Sequence, residues 1–341
     1  MRSPGQSIWL DVDGDGDGDD DAETERVPCC LPPGPRRTGV PLPAIDDVAS
    51  ERLADDLPPV FDAHTHVFPP RLFAAIWRWF DEHGWPIREK LQADEVIAAQ
   101  RRRGHAGCLL LHYAHKPGMA RDLNRFVAAL AADSGGFAIG TGTVCPGEVG
   151  ATDIVEEAFA LGLRGLKLHC HVQAFAIDAP CLDGVYELCR DKGMPLVIHA
   201  GREPWSDALP KDPYDLCNVD RTARVLDRFP GLKLVVPHLG ANEFDGYRRL
   251  LFKHDTLWLD TTMMVADYFP DLYEPQPGSG AGAPWLPFVR ARPDRMLYGS
   301  DAPNLPYAWD REVKALARVL PDNELALILG DNARSLFAPA P

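Results

Sequence analysis

Residues 60–66 read Val60-Phe61-Asp62-Ala63-His64-Thr65-His66, an apolar, strand-like start that ends in two histidines separated by one residue. Side chains on a strand alternate between its two faces, so we expect Asp62, His64 and His66 to share one face. Two imidazoles side by side can hold one divalent ion. Three other strand-like runs also end in imidazole or carboxylate: Val197-Ile198-His199-Ala200-Gly201, Val236-Pro237-His238 and Gly299-Ser300-Asp301. Together the four runs predict a metal-dependent hydrolytic site.

The order of elements along the chain indicates a parallel sheet covered by helices. From residue 58 onward, short β-rich runs alternate with longer amphipathic ones, which is the pattern of repeated βα units. The eight strand candidates cover residues 60–66, 108–113, 137–144, 166–169, 196–199, 232–237, 256–261 and 296–299. The helical patterns between them include residues 93–103, 121–132, 154–161, 182–192 and 220–229. This count favours an α/β fold, a closed (β/α)8 TIM barrel, with a doubly wound open sheet as the alternative.

Glycines and prolines mark several boundaries. Gly104, Gly162, Gly193 and Gly231 fall just past predicted helix ends, where a residue in the left-handed conformation is often required. The Pro-rich stretch 270–287 contains Gly-Ser-Gly-Ala-Gly and predicts a long mobile loop in the last unit. The closing residues 325–337 predict a terminal helix.

The first 57 residues differ in composition from the rest of the chain. They hold 14 Asp and Glu residues against five arginines, a net charge of −9, so the remainder carries only −6 of the total −15. Like charges followed by a Pro-rich stretch leave too little apolar surface to offset the entropy of ordering. We therefore predict a disordered acidic, Pro-rich tail at residues 1–57 and a single catalytic domain at residues 58–341. On this basis we expect deletion of residues 1–50 to leave activity unchanged.

The net charge, the cysteines and the lengths of the apolar runs indicate where the protein is located and what it binds. The mildly acidic domain argues against binding to nucleic acid or to an anionic membrane. Cys108 and Cys145 lie in predicted strands and Cys189 in a predicted helix, which argues against a disulfide framework. No secretory signal pattern follows the first residues, and no apolar run approaches the roughly 18 residues of a membrane span. We expect a reduced, cytoplasmic protein that acts on a small molecule; its oligomeric state stays open, with a homodimer as one option.

The candidate ligands all fall at the same end of the predicted barrel. In such barrels the active site forms at the carboxyl ends of the strands. His64 and His66 end the first strand, Lys167 and His169 the fourth, His199 the fifth and His238 the sixth, and Asp301 follows the eighth. One strand-end histidine is a weak signal, but a set confined to one rim is specific to a site.

These motifs resemble those of the amidohydrolase superfamily, and within it the amidohydrolase-related branch of TIM-barrel metal-dependent hydrolases and decarboxylases. The resemblance covers nearly all of the chain after residue 60. It rests on Asp62-Ala63-His64-Thr65-His66, Gly165-Leu166-Lys167-Leu168-His169, Ile198-His199-Ala200-Gly201, Pro237-His238-Leu239-Gly240, Tyr298-Gly299-Ser300-Asp301-Ala302-Pro303 and Ile328-Leu329-Gly330-Asp331-Asn332-Ala333. The resemblance implies that His64, His66, His199 and Asp301 hold one catalytic metal and that His238 assists the reaction.

The chemistry of these side chains fits such roles. Neutral imidazoles and one carboxylate suit zinc, with manganese or iron as alternatives. A bound ion lowers the pKa of water towards about 7, which makes hydroxide available at neutral pH. Asp301 can accept the proton and pass it to a leaving group, and His238 can polarise the substrate oxygen or act as the base.

Lys167 leaves the number of metal ions open. In binuclear members of the superfamily, a lysine on the fourth strand is carboxylated and bridges two ions, and Lys167, His199 and His238 are all present here. The related branch commonly uses one ion, and Lys167 then binds a substrate carboxylate or pairs with Asp62 or Asp301. We favour one metal and keep the binuclear site as the alternative.

The rim residues suggest a small, carboxylated substrate. His169 shares the Lys167 face, and Arg202 follows the fifth strand, so both are candidates for substrate binding. The leading hypothesis is a hydrolase that acts on an ester, lactone or amide. A non-oxidative decarboxylase or hydratase, a lyase on the same metal site, is the first alternative. A non-catalytic binding protein is the second, and it ranks last because every expected ligand is present.

Overall fold

The computed structural model describes residues 41–201, 208–209, 211–241, 243–269 and 283–338. Within these residues eight short parallel strands follow one another in chain order. They are β1 (Phe61–His66), β2 (Gly107–Leu111), β3 (Ala138–Gly140), β4 (Leu166–His169), β5 (Leu196–His199), β6 (Leu234–Val236), β7 (Leu257–Asp260) and β8 (Met296–Leu297). Each lies within one of the strands predicted from the sequence or extends it by a single residue.

The eight strands close into a barrel. Strands β1 to β3 form one hydrogen-bonded sheet and β4 to β8 another. Gly142 pairs with Leu166 across the first gap between the sheets, and Thr65 pairs with Ala302 across the second. The Ala63 N–H also donates to the Tyr298 carbonyl oxygen at 2.9 Å. The prediction of a TIM barrel is therefore confirmed, and an open doubly wound sheet is excluded.

Helices surround the barrel between the strands. They are α1 (Pro70–His83), α2 (Ala93–Arg102), α3 (Ala120–Asp133), α4 (Ala151–Ala160), α5 (Cys170–Gln173), α6 (Asp183–Asp191), α7 (Pro213–Cys217), α8 (Val219–Arg228), α9 (Phe244–Lys253), α10 (Leu286–Ala291), α11 (Arg311–Val319), α12 (Asp322–Ala326) and α13 (Asn332–Phe337). The five helices predicted by periodicity correspond to α2, α3, α4, α6 and α8. The terminal helix predicted at residues 325–337 is present as one continuous helical run, in which a π-helical turn at Leu327–Asp331 lies between α12 and α13.

The glycines predicted to end helices adopt left-handed backbone conformations. The φ angles of Gly104, Gly162, Gly193 and Gly231 are 91°, 91°, 64° and 90°. An L-residue with a β-carbon adopts such angles at a steric cost, so glycine suits all four positions.

Apolar side chains fill the end of the barrel where the strands begin. Phe61, Leu109, Val197 and Val235 form one buried cluster there. Phe337 of α13 packs on the same cluster and lies 3.3 Å from the position that a β-carbon would take on Gly165, just before β4. This end is therefore packed for stability, which leaves the opposite rim for chemistry.

Residues 41–57 were assigned to the tail, but the structure packs them on the barrel. The Leu42 N–H donates to the Gly84 carbonyl at 2.7 Å, and the Ile45 N–H donates to the Pro306 carbonyl at 2.8 Å. The Asp47 carboxylate lies 2.6 Å from Arg88 and 3.1 Å from Arg311. Acidic Asp47 pairs with arginines of the domain. Net charge alone therefore places the boundary between tail and domain too late in the chain. The part of the chain that packs on the domain begins before residue 58.

Some predictions lie outside the described residues. These are the tail before residue 41, the loop at 270–282 and Arg202. Among the helices that the structure does describe, none is long and apolar enough to cross a membrane.

Candidate metal centre

A bulge in β1 sets the direction of the first histidines. The register between β1 and β2 shifts between Asp62 and Thr65. Ala63 packs into the inner cluster, whereas the Asp62 carboxylate accepts a hydrogen bond from Gln100 of α2 at 2.6 Å. The prediction that Asp62 shares a face with His64 and His66 is therefore wrong, because the extra residue of the bulge changes the alternation.

Asp62 instead holds two strand ends together. It accepts hydrogen bonds from the Ser300 hydroxyl at 2.5 Å and from the N–H groups of His64 and Ser300 at 3.0 Å each. Burial raises its pKa to about 6, although these hydrogen bonds lower it. Its contacts give it a structural role beside the site.

His64, His66 and Asp301 form a compact group of donor atoms. His64 Nε2 lies 3.2 Å from His66 Nε2 and 3.5 Å from Asp301 Oδ1, and His66 Nε2 lies 2.9 Å from the same oxygen. Ligands at about 2.1 Å from one ion, at angles between 90° and 109°, are about 3.0–3.4 Å apart. The three atoms thus have the spacing of ligands around a single divalent ion.

Asp260, at the end of β7, orients the first ligand. Its Oδ2 lies 2.8 Å from His64 Nδ1, and its Oδ1 accepts from the His238 N–H at 2.9 Å. The charge and hydrogen bond of His64 lower the pKa of Asp260 although burial alone would raise it, so the carboxylate is ionised and can only accept. The proton of His64 therefore sits on Nδ1, and Nε2 presents a lone pair to the group.

The protonation states suit metal binding. Burial, with a smaller contribution from the charge of Lys167, lowers the pKa of His64 to about 4 and keeps the imidazole neutral at pH 7. Burial would raise the pKa of Asp301, but the hydrogen bond and charge of His66 outweigh it and lower the pKa to about 2. Two imidazoles and one carboxylate are a donor set that zinc and manganese accept.

His238 connects β6 to the site through His199. Its Nδ1 lies 3.1 Å from the Thr262 carbonyl oxygen, and its Nε2 lies 3.2 Å from His199 Nδ1. A carbonyl can only accept, so Nδ1 of His238 donates to it. In the neutral ring Nε2 then accepts from His199 Nδ1, which places the lone pair of His199 on its Nε2.

His199 belongs to a second group of potential ligands. One ring nitrogen from each of His169, His171 and His199 lies within 4.8 Å of the other two, as do the donor atoms of His64, His66 and Asp301 in the first group. The sequence assigned His199 to the same ion as His64, His66 and Asp301. The structure places its ring against that of His169, with centroids 4.0 Å apart.

Lys167 is fully buried on β4, two residues before His169. Its charge contributes to the lowered pKa values of both His64 and His169. The side chain is therefore close enough to His64 and His169 to act on them electrostatically.

The strand ends that carry the site adopt unusual backbone conformations. Several residues other than glycine with positive φ angles follow β6, β7 and β8, among them His238 at 56°, Met263 at 60° and Asp301 at 70°. Such conformations cost free energy and concentrate at functional sites. A β-carbon on Gly299 would lie 2.5 Å from the β-carbon of His64, so the glycine allows β8 to approach the first ligand.

A cavity of about 160 Å³ opens beside both groups. Its wall is formed largely by aromatic and thioether side chains, which are Trp79, Phe80, Tyr113, Trp85, Phe269, Met263 and Met264. His66, His169, His199, His238 and Asp301 line its floor. Among the described lining residues none is lysine or arginine. A small substrate with an apolar or aromatic part fits this chemistry.

Sequence reasoning missed three contributors. Asp260 lies at the end of a predicted strand, so its position was a usable signal. Trp79 and Phe80 belong to α1, which no predicted helix covered. Their place in the cavity wall follows from tertiary packing.

Comparison with known proteins gives a family and a fold. The sequence model of the family described as Amidohydrolase matches residues 61–338. No curated protein matches the chain. A solved structure of an uncharacterised TIM-barrel protein from Bordetella bronchiseptica has a TM-score of 0.61 at 21% identity, covering 82% of this chain and 98% of that one.

Two decarboxylases also share the fold. The structure of 5-carboxyvanillate decarboxylase from Sphingomonas paucimobilis has a TM-score of 0.58 at 17% identity, covering 82% of this chain and 98% of that one. The enzyme of that name from Novosphingobium aromaticivorans, complexed with manganese and 4-hydroxy-3-methoxy-5-nitrobenzoic acid, has a TM-score of 0.57 at 16% identity, covering 86% and 99%. At these identities the likeness shows the fold alone.

Proposed function

The chain belongs to the amidohydrolase family, and on that premise we propose that it is a metal-dependent hydrolase that cleaves an ester, lactone or amide of a small substrate with an apolar ring. The observation that carries the proposal is the triangle of His64 Nε2, His66 Nε2 and Asp301 Oδ1, with edges of 2.9–3.5 Å. These edges match the ligand spacing around one ion. The three residues would hold a divalent cation, zinc in our proposal, with manganese as the main alternative because a structural neighbour binds it.

A bound ion would polarise the scissile carbonyl and lower the pKa of water towards about 7. The chain's own residues supply the rest. Asp301 is ionised and lies on the floor of the cavity, so it orients the attacking water and takes up a proton. His238 has its Nδ1 hydrogen bonded to the Thr262 carbonyl, which directs its Nε2 lone pair towards His199 and the cavity floor, where it acts as a base rather than as a donor.

Lys167 is buried on β4 and is not among the described residues that line the cavity. In this proposal its ammonium group acts through the floor and attracts negative charge that develops on the substrate. The aromatic wall excludes water and positions the apolar part of the substrate. A substrate carboxylate, which the sequence suggested through His169 and Arg202, would meet His169 on the floor; Arg202 lies outside the described residues.

A decarboxylase is the second candidate, and the apolar wall favours it. A carboxylate loses its hydration in such a cavity, and loss of carbon dioxide disperses the desolvated charge. Two proteins with this fold are 5-carboxyvanillate decarboxylases, so the barrel accommodates that reaction. The same floor residues would then anchor the carboxylate and protonate the ring carbon.

Metal content and product analysis test both candidates. Protein purified without chelators is analysed for bound metals and then incubated in ¹⁸O-labelled water with aryl esters, lactones and anilides, and separately with hydroxybenzoates. Incorporation of ¹⁸O into an acid product, lost in Asp301→Asn, supports the hydrolase. Release of carbon dioxide from a hydroxybenzoate, without ¹⁸O in the aromatic product, rejects the hydrolase and supports the decarboxylase. Failure to bind any divalent ion overturns both.

A further inference from the structure

The side-chain amide of Asn304 is a buried polar group that takes no part in the proposed mechanism. Asn304 lines the cavity, and its relative exposure is 3%. Among the residues that the structure describes, its side-chain oxygen Oδ1 has no hydrogen-bond partner. A buried amide without a partner lowers the stability of the folded protein. The cavity beside it is a place from which a ligand can supply that partner.

Two other buried asparagines do have a partner for the same oxygen. Asn124 Oδ1 accepts from the Thr143 N–H at 2.8 Å, and its Nδ2 donates to the Thr143 carbonyl at 3.0 Å. Asn218 Oδ1 accepts from the Arg221 N–H at 3.1 Å. These two amides hold segments of the fold together. Asn304 differs from both, because its side chain lies at the cavity and its Oδ1 pairs with no described residue.

The main chain holds Asn304 beside the metal group. The Asn304 N–H donates to the Asp301 carbonyl at 2.9 Å, and the His66 N–H donates to the Ala302 carbonyl at 2.7 Å. From the cavity wall, Trp85 Nε1 donates to the Asn304 carbonyl at 2.7 Å. The loop that carries the amide is therefore tied to both ligand-bearing strand ends and to the wall. A polar group that is fixed before a ligand arrives loses little entropy on binding it.

We propose that the Asn304 amide binds a neutral hydroxyl group on an aromatic ring of the substrate. An amide offers an acceptor oxygen and a donor NH2, and a hydroxyl supplies a donor and an acceptor in return. The amide carries no net charge, so it does not offset the desolvation of a carboxylate at this position. The inference rests on the proposed function, and it names the substrate class as an ester, lactone or amide with a hydroxylated aromatic ring.

Binding of small probes tests the hydroxyl site without any reaction. Metal-loaded, full-length protein is titrated by calorimetry with the three cresol isomers and with toluene, which lacks only the hydroxyl. At least one cresol should bind about 10- to 100-fold more tightly than toluene. In Asn304→Leu, which replaces the amide with an apolar side chain of similar size, this preference should disappear. Asn304→Ala is the second variant and should lose the preference too.

A melting experiment separates ligand recognition from a role in the fold. Leucine removes the unpaired amide from an apolar wall, so Asn304→Leu without probe should melt at or above the wild-type temperature. A lower melting temperature would assign the amide to the fold and overturn the proposal. The matched control is Asn323→Leu, at an exposed residue of α12 that is not among the described residues lining the cavity. It should keep the wild-type preference for cresol.

Turnover extends the test to the substrate. The kcat/KM for one of the methyl hydroxybenzoates should exceed that for methyl benzoate by about 10²- to 10⁴-fold in the wild type and by little in Asn304→Leu. Equal binding of cresols and toluene by the wild type, or a preference that persists in folded Asn304→Leu, overturns the hydroxyl site and leaves the proposed function standing. A cresol preference that depends on Asn304, without cleavage of any ester, lactone or amide, supports the hydroxyl site and overturns the proposed function.

Discussion

His64 Nδ1 lies 2.8 Å from Asp260 Oδ2, so the last residue of β7 fixes the ring of a ligand on β1. The two strands are not adjacent in the barrel, because β8 lies between them. The hydrogen bond therefore spans the rim, and it sets which nitrogen of His64 faces the metal group. Partners of this kind are worth about 10- to 100-fold in metal affinity.

Asp260→Asn should weaken metal binding by about 10- to 100-fold. The amide can turn its NH2 towards His64 Nδ1, which favours the tautomer with the proton on Nε2 and removes the lone pair from the group. The dissociation constant, measured by competition with a chromophoric chelator, checks this. Asp227→Asn, which removes an exposed carboxylate next to Lys253, is the control. Equal affinities in the two variants would show that Asp260 does not set the tautomer.

Asp301→Asn should reduce turnover by about 10²- to 10⁴-fold with little change in melting temperature. The φ angle of Asp301 is 70°, and asparagine tolerates this conformation better than most residues. The substitution therefore removes charge while the backbone keeps its course. Steady-state kinetics and a thermal melt measure the two effects separately. Asp301→Ala should lose turnover and also melt lower, because alanine is strained there; an Asp301→Asn variant that unfolds would assign the residue a structural role.

Much of the barrel was predictable because its signals are local. The βα alternation predicted eight strands, and the residues at the end of each predicted strand are those expected at the rim of the barrel. The position of Lys167 could be predicted from its place on β4 alone. The four helix-ending glycines could be predicted from the backbone preference of glycine alone. The ligand triangle was partly predictable as well, since His64 and His66 are two residues apart on one strand.

The rest depends on contacts between distant segments. Alternation placed Asp62 with His64, but the bulge in β1 turned Asp62 towards α2. No spacing rule relates His199 to His171, which reaches it from a four-residue helix. The cavity wall was missed because the sequence predicted no helix at α1, which begins after Pro69. This helix carries large aromatic residues, and only its packing on the barrel decides which of its sides is apolar.

Removal of residues 1–50 should lower the melting temperature and raise KM, whereas removal of residues 1–40 should do neither. Leu42 and Pro43 hold Gly84 and Tyr268 through hydrogen bonds of 2.7 and 3.0 Å, next to the cavity wall. This replaces our expectation from the sequence that the longer deletion is silent. Asp47→Ala is the point variant, and loss of its contact with the Ala308 N–H and two arginines should cost about 1–2 kcal/mol.

The kinetic readout separates a local effect from general instability. If both truncated proteins match the full chain in KM and melting temperature, the segment at residues 41–50 does not support the wall. If the shorter deletion already raises KM, residues before 41 contribute as well.

Gly299→Ala should destabilise the fold by about 1–3 kcal/mol and weaken metal binding. The added β-carbon would lie 2.4 Å from Thr262 Oγ1 and 2.5 Å from the His64 β-carbon, so β1 must move to make room. Gly135→Ala is the control for a glycine-to-alanine change at a site where nothing lies within 4 Å. Its positive φ of 62° costs stability without touching the metal group. Urea unfolding and metal affinity are measured for both; unchanged affinity in Gly299→Ala would mean that His64 does not move.

Glu312→Gln should stabilise the protein increasingly as pH rises. Glu312 lies buried in the first turn of α11, where Tyr307 donates to its Oε1 at 2.8 Å. No hydrogen-bond partner for Oε2 is found among the described residues. Burial raises its pKa well above the ordinary value of 4.5, more than the Tyr307 hydrogen bond lowers it. The folded protein therefore keeps a proton that the unfolded chain releases above pH 4.5.

Because the folded state binds more protons in this range, stability falls as pH rises from 4.5 towards the folded-state pKa. Glutamine keeps the size of the neutral acid and the acceptor for Tyr307, so it removes this loss. Melting temperatures of variant and wild type across a pH series should diverge in favour of the variant. Glu157→Gln is the control with the opposite pH dependence. The exposed Arg121 lowers the pKa of Glu157, so the stabilisation that this ion pair gives the wild type disappears as pH falls. A difference between Glu312→Gln and wild type that stays constant with pH would mean that Glu312 is ionised in the folded protein.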